Sequence, residues 1–407
     1  MREMKDSGIE WIGAIPQDWQ LSKIGSLYTQ RNEKVSDKDY QPLSVTMQGI
    51  LPQLATAAKT DDGENRKLVR VGDFAINSRS DRRGSCGISP LDGSVSLINI
   101  ILTPRTAMHP GYYNWLFHTT LFADEFYKWG HGIVADLWTT RWQEMKSITV
   151  PVPEYAEQER IAAFLDAECA EIDAVLEKTR ASIEEHKKLK QAVITQAVTK
   201  GIRGDRPMKD SGIEWIGEIS QDFEIVKLKW LCDVLDQFRS PVTADKRNQN
   251  ADVLYDYYGA SGAIDKIDGY TIDDHVMLIG EDGANLRMRN LPIMYEINGK
   301  AWINNHAHIL KPKAGVDFYF IFYALEALDL NYYITGSAQP KLSQDNLRNI
   351  WVPITDFSGQ KRIAAYISDV YDEFDCLIAK KQQYLTEIEN YKKSLIYEYV
   401  TGKKEVV

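Results

Sequence analysis

From Glu157 to Thr199 the apolar side chains Leu165, Cys169, Ile172, Leu176, Ile183, Val193 and Ala197 recur at spacings built from threes and fours. No proline or glycine interrupts them before Gly201. That period predicts a single long helix with a heptad seam. A second run, Gly359 to Val400, repeats the pattern with Ile367, Tyr371, Phe374, Ile378, Leu385, Ile388, Leu395 and Tyr399. At 1.5 Å rise per residue, about 43 residues make a rod of roughly 65 Å, which needs a partner along its length. Polar residues interrupt the two seams at matching places, Thr179 with Lys381 and Lys190 with Lys392. A polar knob costs stability but penalises wrong registers. The two helices are expected to pair with each other as an antiparallel coiled coil, the other reading being a seam for a second chain.

Elsewhere the period drops to two. Residues 67–77 alternate and turn at Gly72-Asp73, and 94–102 read as another strand; Val276–Gly280 and 301–304 do likewise further on. Residues 112–129 and 318–330 carry helical spacing between them. Each mixed segment ends on a Val-Pro step, Val150-Pro151 and Val352-Pro353, which stops local structure ahead of the long helix. The expected class is α+β.

The chain is also an internal duplication. MKDSGIEWIG occupies residues 4–13 and again 208–217, and the run from Gln158 to Leu165 matches that from Gln360 to Ile367, extending to Val198-Thr199 against Val400-Thr401. Two copies are too few for a solenoid, so a two-part module with pseudo-two-fold symmetry is predicted. The segments between, roughly 20–150 and 223–353, hardly resemble each other. A constant frame around divergent inserts suits a common partner for the frame and a separate specificity for each insert; old duplication with drift is the plainer explanation.

Charge then narrows the function. The 407 residues hold 48 Lys+Arg against 58 Asp+Glu, a net −10, which argues against coating nucleic acid or an anionic membrane by bulk positive charge. Residues 21–150 hold 15 basic and 13 acidic side chains and residues 223–353 hold 13 and 17, so neither insert is broadly basic. Cys86, Cys169, Cys232 and Cys376 form no CxxC pair, and the charged start at Met1-Arg2-Glu3 lacks the apolar stretch of a signal peptide, so a reducing cytoplasm is expected.

Little in the chain points to catalytic chemistry. No G-x-x-x-x-G-K-[ST] or G-x-G-x-x-G loop occurs, nor an Asn-Pro-Pro or Asp-Pro-Pro run of amino-methylating enzymes. Glu-x-Lys tripeptides at Glu3, Glu144 and Glu185 lack the Pro-Asp that nucleases place before them. His306 and His308 would share one strand face, but no third ligand stands near, and ordinary hydrogen-bonding histidines are the expectation. Gly280-Glu281-Asp282-Gly283 reads first as a turn rather than an ion loop.

The remaining candidates resemble a reading surface. Arg79, Ser80, Arg82 and Arg83 sit on a loop bounded by Gly84, where guanidinium groups could bond guanine edges or phosphates, or merely be solvated. The second insert offers Tyr258 and Ser261 in YGASG, Asn285 and Arg287 after GEDG, and Ser337, Gln339 and Lys341 in GSAQPKLS.

Taken in order, these motifs resemble the specificity subunit of type I restriction-modification enzymes. The resemblance rests on the KDSGIEWIG openings at 5–13 and 209–217 and the PEYAEQERIA helix start at 153–162. In the inserts it rests on VGDFAIN with RGSCGI at 71–77 and 83–88, and on YGASG, GEDGAN and GSAQPKLS. It implies two mixed α/β target recognition domains, 1–152 and 205–353, with spacer helices at 153–204 and 354–407 forming the coiled coil. Leu165, Ile172, Leu176 and Ile183 would face Ile367, Phe374, Ile378 and Leu385. Each domain would read half of a bipartite site in double-stranded DNA, the inserts lying at opposite ends of the rod. The resemblance also implies no catalysis and no cofactor in this chain. S-adenosylmethionine, ATP and Mg would sit on two modification subunits and on restriction subunits, with no membrane involved. Two features depart from the pattern. The second long helix starts with Asp356-Phe357-Ser358-Gly359-Gln360, and the first insert ends in residues 130–141, unlike GSAQPKLS, so Thr140 and Arg141 are assigned the contact role there. The competing functions are a stand-alone DNA-binding regulator and a protein-interaction scaffold. Because phosphate neutralisation supplies much of DNA affinity, a subunit this acidic is expected to bind DNA weakly alone.

Overall fold

The computed structural model describes residues 2–53, 63–132, 138–204, 206–247 and 252–406. Its longer helices are α1 (Pro110–Phe117), α2 (Thr120–Lys128), α3 (Tyr155–Lys200), α4 (Phe318–Ala327) and α5 (Phe357–Val400). The chain folds as two compact units, one of residues 1–180 with 383–407, the other of residues 181–382. Among the described residues no helix is long and apolar enough to cross a membrane.

In the first unit the decapeptide folds as a hairpin, Met4–Asp6 against Ala14–Pro16. Asp6 accepts from the Gly8 N–H, and Ser7 accepts from the Ile9 N–H, which closes the loop on its own side chains. Gly8 and Gly13 hold φ of 65° and 68°, a region that disfavours a β-carbon. An antiparallel sheet in the order Cys86–Ile88, Phe74–Asn77, Asn99–Pro104, Tyr28–Arg31 carries the insert. The run 94–102, expected as one strand, is two. Asn99 turns the backbone by bonding Ser96 through both its backbone and side-chain N–H, so Gly93–Val95 pairs with Arg66–Val69 in a separate sheet. Likewise 112–129 is not one helix, because Thr119 accepts from the Phe122 N–H and caps α2 afresh. Phe74, Tyr112, Tyr113, Phe117, Phe122 and Phe126 fill the core against the start of α3 and the end of α5, where Leu395 and Val400 are buried.

The second unit opens with the same hairpin, Met208–Asp210 against Glu218–Ser220, closed by the same Asp210 and Ser211 bonds. Its sheet is larger, six strands in the order Cys232–Val234, Ala307–Pro312, Ile272–Gly280, Met294–Ile303, Tyr255–Gly259, Gly262–Ile267. Only the pairing of Met294–Ile303 with Tyr255–Gly259 is parallel. The acidic 280–283 turn does not close a tight hairpin; it leads into a helical turn, Asn285–Met288, before the chain returns at Met294. α4 packs Phe320, Ile321, Ala324 and Leu325 into a core shared with Ile194, Ala197 and Val198 of α3 and Ile363 and Ile367 of α5.

Within each unit α3 and α5 run antiparallel along their seams. In the first unit Leu165, Cys169 and Leu176 are buried, Ile172, Leu385 and Ile388 half-buried. In the second, Ile183, Ile367 and Ile378 are buried with Tyr371, Phe374 and Val193 half-buried beside them. The polar interruptions are paired. Lys392 meets Asp173 at 2.6 Å in the first unit, and Lys190 meets Asp375 at 2.6 Å in the second. Lys381 donates to the Ser182 hydroxyl at 3.0 Å, and Thr179 turns its hydroxyl back to the Val175 carbonyl.

Candidate nucleic-acid interface

Strand Phe74–Asn77 delivers the arginine loop of the first unit. Its lead-in turn is held by Asp73, a buried carboxylate that accepts from Arg31 at 2.7 Å, Thr103 at 2.8 Å and the Arg70 N–H. The Gly-Asp step is therefore structural. Beyond the strand, Asn77 accepts from the Arg79 N–H, and the loop then pairs with the end of the insert. Ser80 N–H donates to Trp138, Thr140 N–H donates to Ser78, and Arg79 bridges Thr139. A cavity of about 360 Å³ opens between them, walled by Gln30, Lys67, Arg79, Thr140, Arg141 and Trp142 over a floor of Leu97, Ile98 and Ile100.

The loop residues do not share one fate. Arg79 and Arg141 are exposed at the cavity, with Ser80 half-buried alongside. Arg82 is exposed, 3.8 Å from Asp81, whereas Arg83 is paired with Asp124 on α2. Thr140 is wholly buried, its hydroxyl donating to the Phe126 carbonyl at 2.8 Å. A hydroxyl so engaged cannot also reach a base, so the contact role assigned to Thr140 is corrected to that of a strut. Residues 133–137 of the run singled out as the insert's end lie outside the described residues. Gln30 and Lys67 line the cavity although neither sits in a loop motif. Lys67 donates to the Asn99 carbonyl at 2.7 Å, and burial pulls its ammonium below the ordinary lysine range.

In the second unit three motifs far apart in sequence converge at one end of the large sheet. The Gly283 N–H donates to Pro340, and Leu342 N–H donates to Glu281 at 2.7 Å, tying GEDGAN to GSAQPKLS. YGASG joins them, because Asn304 N–H bonds Tyr258 and a β-carbon on Gly280 would meet the Ala260 carbonyl at 2.8 Å. Gly336, at φ 81°, makes its turn so tightly that a β-carbon would lie 2.4 Å from the Gln339 carbonyl.

Beneath these loops lies a polar cluster that the motifs did not reveal. Glu281, 8% exposed, accepts from Lys341 at 2.9 Å and from Arg239. Asp236 accepts from Gln344 at 2.8 Å and from the Ile309 N–H at 3.0 Å, and its partner on the strand is His308 at 2.7 Å. Burial alone would raise both carboxyls, but donors outweigh it: His308 and Gln344 for Asp236, Lys341 and Arg239 for Glu281, so each titrates below its usual range. His306 lies in the turn before the strand, not on it, and its Nδ1 meets Asp282 at 2.8 Å. Among the described residues no group of three or more His, Cys, Asp and Glu could hold a metal ion.

Ser261, Ser337 and Gln339 are exposed on these turns, Tyr258 is half-buried, and Arg287 is exposed with one nitrogen on the Ile334 carbonyl. Asn285 is spent. Its amide donates to Leu291 and Pro292 and its oxygen accepts from the Leu291 N–H, so in this structure it clamps the 285–292 turn.

A family model for the type I restriction modification DNA specificity domain matches residues 220–387, the stretch that contains this whole loop cluster. A protein of Haemophilus influenzae assigned as a type I restriction enzyme specificity subunit is 29% identical over 133 residues, a third of each chain. The MjaVIII specificity subunit of Methanocaldococcus jannaschii is 24% identical over 96% of this chain and 94% of its own length. Over nearly its full length the chain is similar to type I specificity subunits, and residues 220–387 match their DNA specificity domain. A solved chain from work on complex assembly and conformational transition of the type I R-M system has the same fold. It shows a TM-score of 0.74 at 13% identity, over 96% of this chain and 99% of that one. The arginine loop of the first unit falls outside the matched stretch.

Proposed function

We propose that this specificity subunit reads a split DNA site with two independent surfaces and leaves the chemistry to other chains. Target recognition domains at 1–152 and 205–353 each read one half, and the spacer helices at 153–204 and 354–407 fix the unread distance. In the first domain Arg79 and Arg141 face the DNA, joined by Gln30 and Lys67 in the cavity wall. In the second, Ser261, Ser337, Gln339 and Lys341 do so from the converged turns. Arginine and glutamine suit base edges, and lysine suits phosphate. The observation that carries this reading is the duplicated frame: the same hairpin, and the same buried glutamine, Gln158 in one copy and Gln360 in the other, accompany two loop clusters of unrelated chemistry. Two modification subunits carrying S-adenosylmethionine are expected on the repeated frame, with ATP- and Mg-dependent restriction subunits beyond them, and the chain would act in the cytoplasm.

Co-expression with a cognate modification subunit, followed by genome-wide mapping of methylated bases, tests this directly. A split motif appearing only with both chains supports it; an active complex without a new motif overturns it. Exchanging residues 223–353 for another family member's insert should change one half of the motif, and a change in both halves would sink the two-surface reading.

A further inference from the structure

His308 is 1% exposed, and both of its ring nitrogens face oxygen. Nδ1 lies 2.7 Å from the Asp236 carboxylate, and Nε2 lies 2.8 Å from the Leu342 carbonyl. A carbonyl accepts only. So does Asp236, which is ionised and already receives Gln344 and the Ile309 N–H. A neutral imidazole has one N–H, so either tautomer leaves a nitrogen lone pair against an oxygen lone pair at under 3 Å; only the doubly protonated ring satisfies both contacts. The charged groups around it come from every neighbouring segment. Asp236 and Arg239 lie on one side, 3.3 Å apart, and Glu281 lies 3.7 Å from Nε2. Lys341 and Arg239 both pair with that glutamate, and His306 with Asp282 stand in the adjoining turn.

We propose that His308 is a proton-dependent positioning residue for the second recognition surface, latching the Gly336–Ser343 loop to the sheet through Leu342 when its ring carries two protons. The proposal rests on the reading of that loop as a DNA contact. Lys341 directly precedes Leu342 and Gln339 stands three residues before it, so losing the His308 bond to the Leu342 carbonyl leaves the Leu342 N–H bond to Glu281 to hold the loop and loosens the placement of both side chains on base or phosphate. The strut in the first unit is different in kind. Thr140 holds its loop through a hydroxyl, which does not titrate in this range, and the nearby His131 is exposed and 3.9 Å from Glu144.

The test uses the methylase complex with its full-length specificity subunit. Methylation rates are measured at about pH 6 and about pH 8.5 on the matched site, on sites mismatched in one half, and on sites mismatched in the other. Taking ratios to the matched site cancels the pH dependence of the chemistry. Discrimination against mismatches in the half read by 205–353 should fall about tenfold on going to the higher pH, the size of one hydrogen bond to a charged group, while discrimination in the other half holds. His308→Gln, which can reach Leu342 or Asp236 but not both, should show the lower discrimination at both pH values. Equal loss in both halves, a wild-type discrimination that does not change with pH, or a His308→Gln variant that keeps the wild-type pH dependence, overturns the latch while leaving the two-surface reading intact. A wild-type complex that methylates no split motif overturns that reading itself, and the latch with it.

Discussion

Trp19 and Phe223 occupy the same place in the two copies of the frame, and both are buried, yet their surroundings have diverged together. In the first copy the Trp19 indole donates to Glu157 at 2.9 Å, and Arg2 pairs with Glu157 and with Asp18. In the second, Arg206 keeps its aspartate, Asp222, at 2.6 Å, while Glu157 is replaced by Gly359 and the indole by a phenyl ring. Donor and acceptor have gone as a pair. Removing one partner of a buried hydrogen bond strands the other, whereas removing both is close to neutral, so the divergence follows the only cheap route. Asp356 supplies the new helix start instead, accepting from the Gly359 N–H at 2.6 Å. The glutamine beside this position has not moved. Gln158 donates to Pro153 and accepts from the His109 N–H ahead of α1, and Gln360 donates to Thr355 and accepts from the Asp317 N–H ahead of α4. What the copies share is the device that docks an insert helix on a spacer helix; what they vary is the packing behind it.

The hardest test of that likeness is to remove the glutamines. Gln158→Leu strands a buried carbonyl and a half-buried N–H, Gln360→Leu a half-buried carbonyl and N–H, and each is expected to cost about 2–4 kcal/mol. Urea denaturation should show similar losses for the two. A loss confined to one variant would mean that the docking device survives in one copy only.

Trp19→Phe probes the difference instead. Alone it should cost about 1–2 kcal/mol, because Glu157 loses a donor where it is 9% exposed. Combined with Glu157→Gly it should cost less than the sum of the two single changes, by about 1 kcal/mol in a double-mutant cycle. Strict additivity would show that the second copy's solution is not available to the first.

Much of this architecture was legible because it is periodic or repeated. Leu165, Leu176, Ile367 and Ile378 declare the seam at short range, and an identical decapeptide must close the same Asp and Ser bonds wherever it stands. The recognition surfaces were less legible, for a physical reason. Whether an arginine or asparagine is free for a ligand depends on partners distant in sequence. Nothing near Arg83 announces Asp124, nothing in Thr139-Thr140 announces the Phe126 carbonyl, and Asn285 looks like any turn asparagine until Leu291 folds back on it. Gln30 and Lys67 sit on ordinary strands and reach the cavity only through the sheet's register. The His306-Ala307-His308 pattern was visible, but its meaning lay in Asp236 and Leu342.

The two loop anchors also part company in acid. Asp236 and Glu281 titrate below their unfolded values, so their contribution is complete above the ordinary carboxylate range near pH 4 and is lost as pH falls through the lowered folded values. The Thr140 strut has no such dependence. Below about pH 4, the protection of residues 336–343 against hydrogen exchange should therefore fall before that of residues 138–142. Asp236→Asn should lower it already at neutral pH, by an opening cost on the order of 1 kcal/mol. Parallel loss of protection in both loops in wild type would place the acid sensitivity in the frame.

The smallest effect belongs to the pairs Lys392 with Asp173 and Lys190 with Asp375, which are the same pair written once in each unit. Their lysines are 22% and 15% exposed and their aspartates 59% and 61%, so solvent screens them and each is expected to contribute only about 0.5–1 kcal/mol. Their value is in register. A lysine on one helix can find its aspartate only when the antiparallel helices are set to one alignment, and a slip by a heptad would strand both lysines in an apolar seam. Reversing one pair, Lys190→Asp with Asp375→Lys, should leave melting almost unchanged and keep the alignment. The single change Lys190→Asp, which sets two aspartates together, should lower stability by about 1 kcal/mol more. If Lys392→Asp instead costs nothing while Lys190→Asp does, the two seams are not equivalent, and the register is fixed from one unit alone.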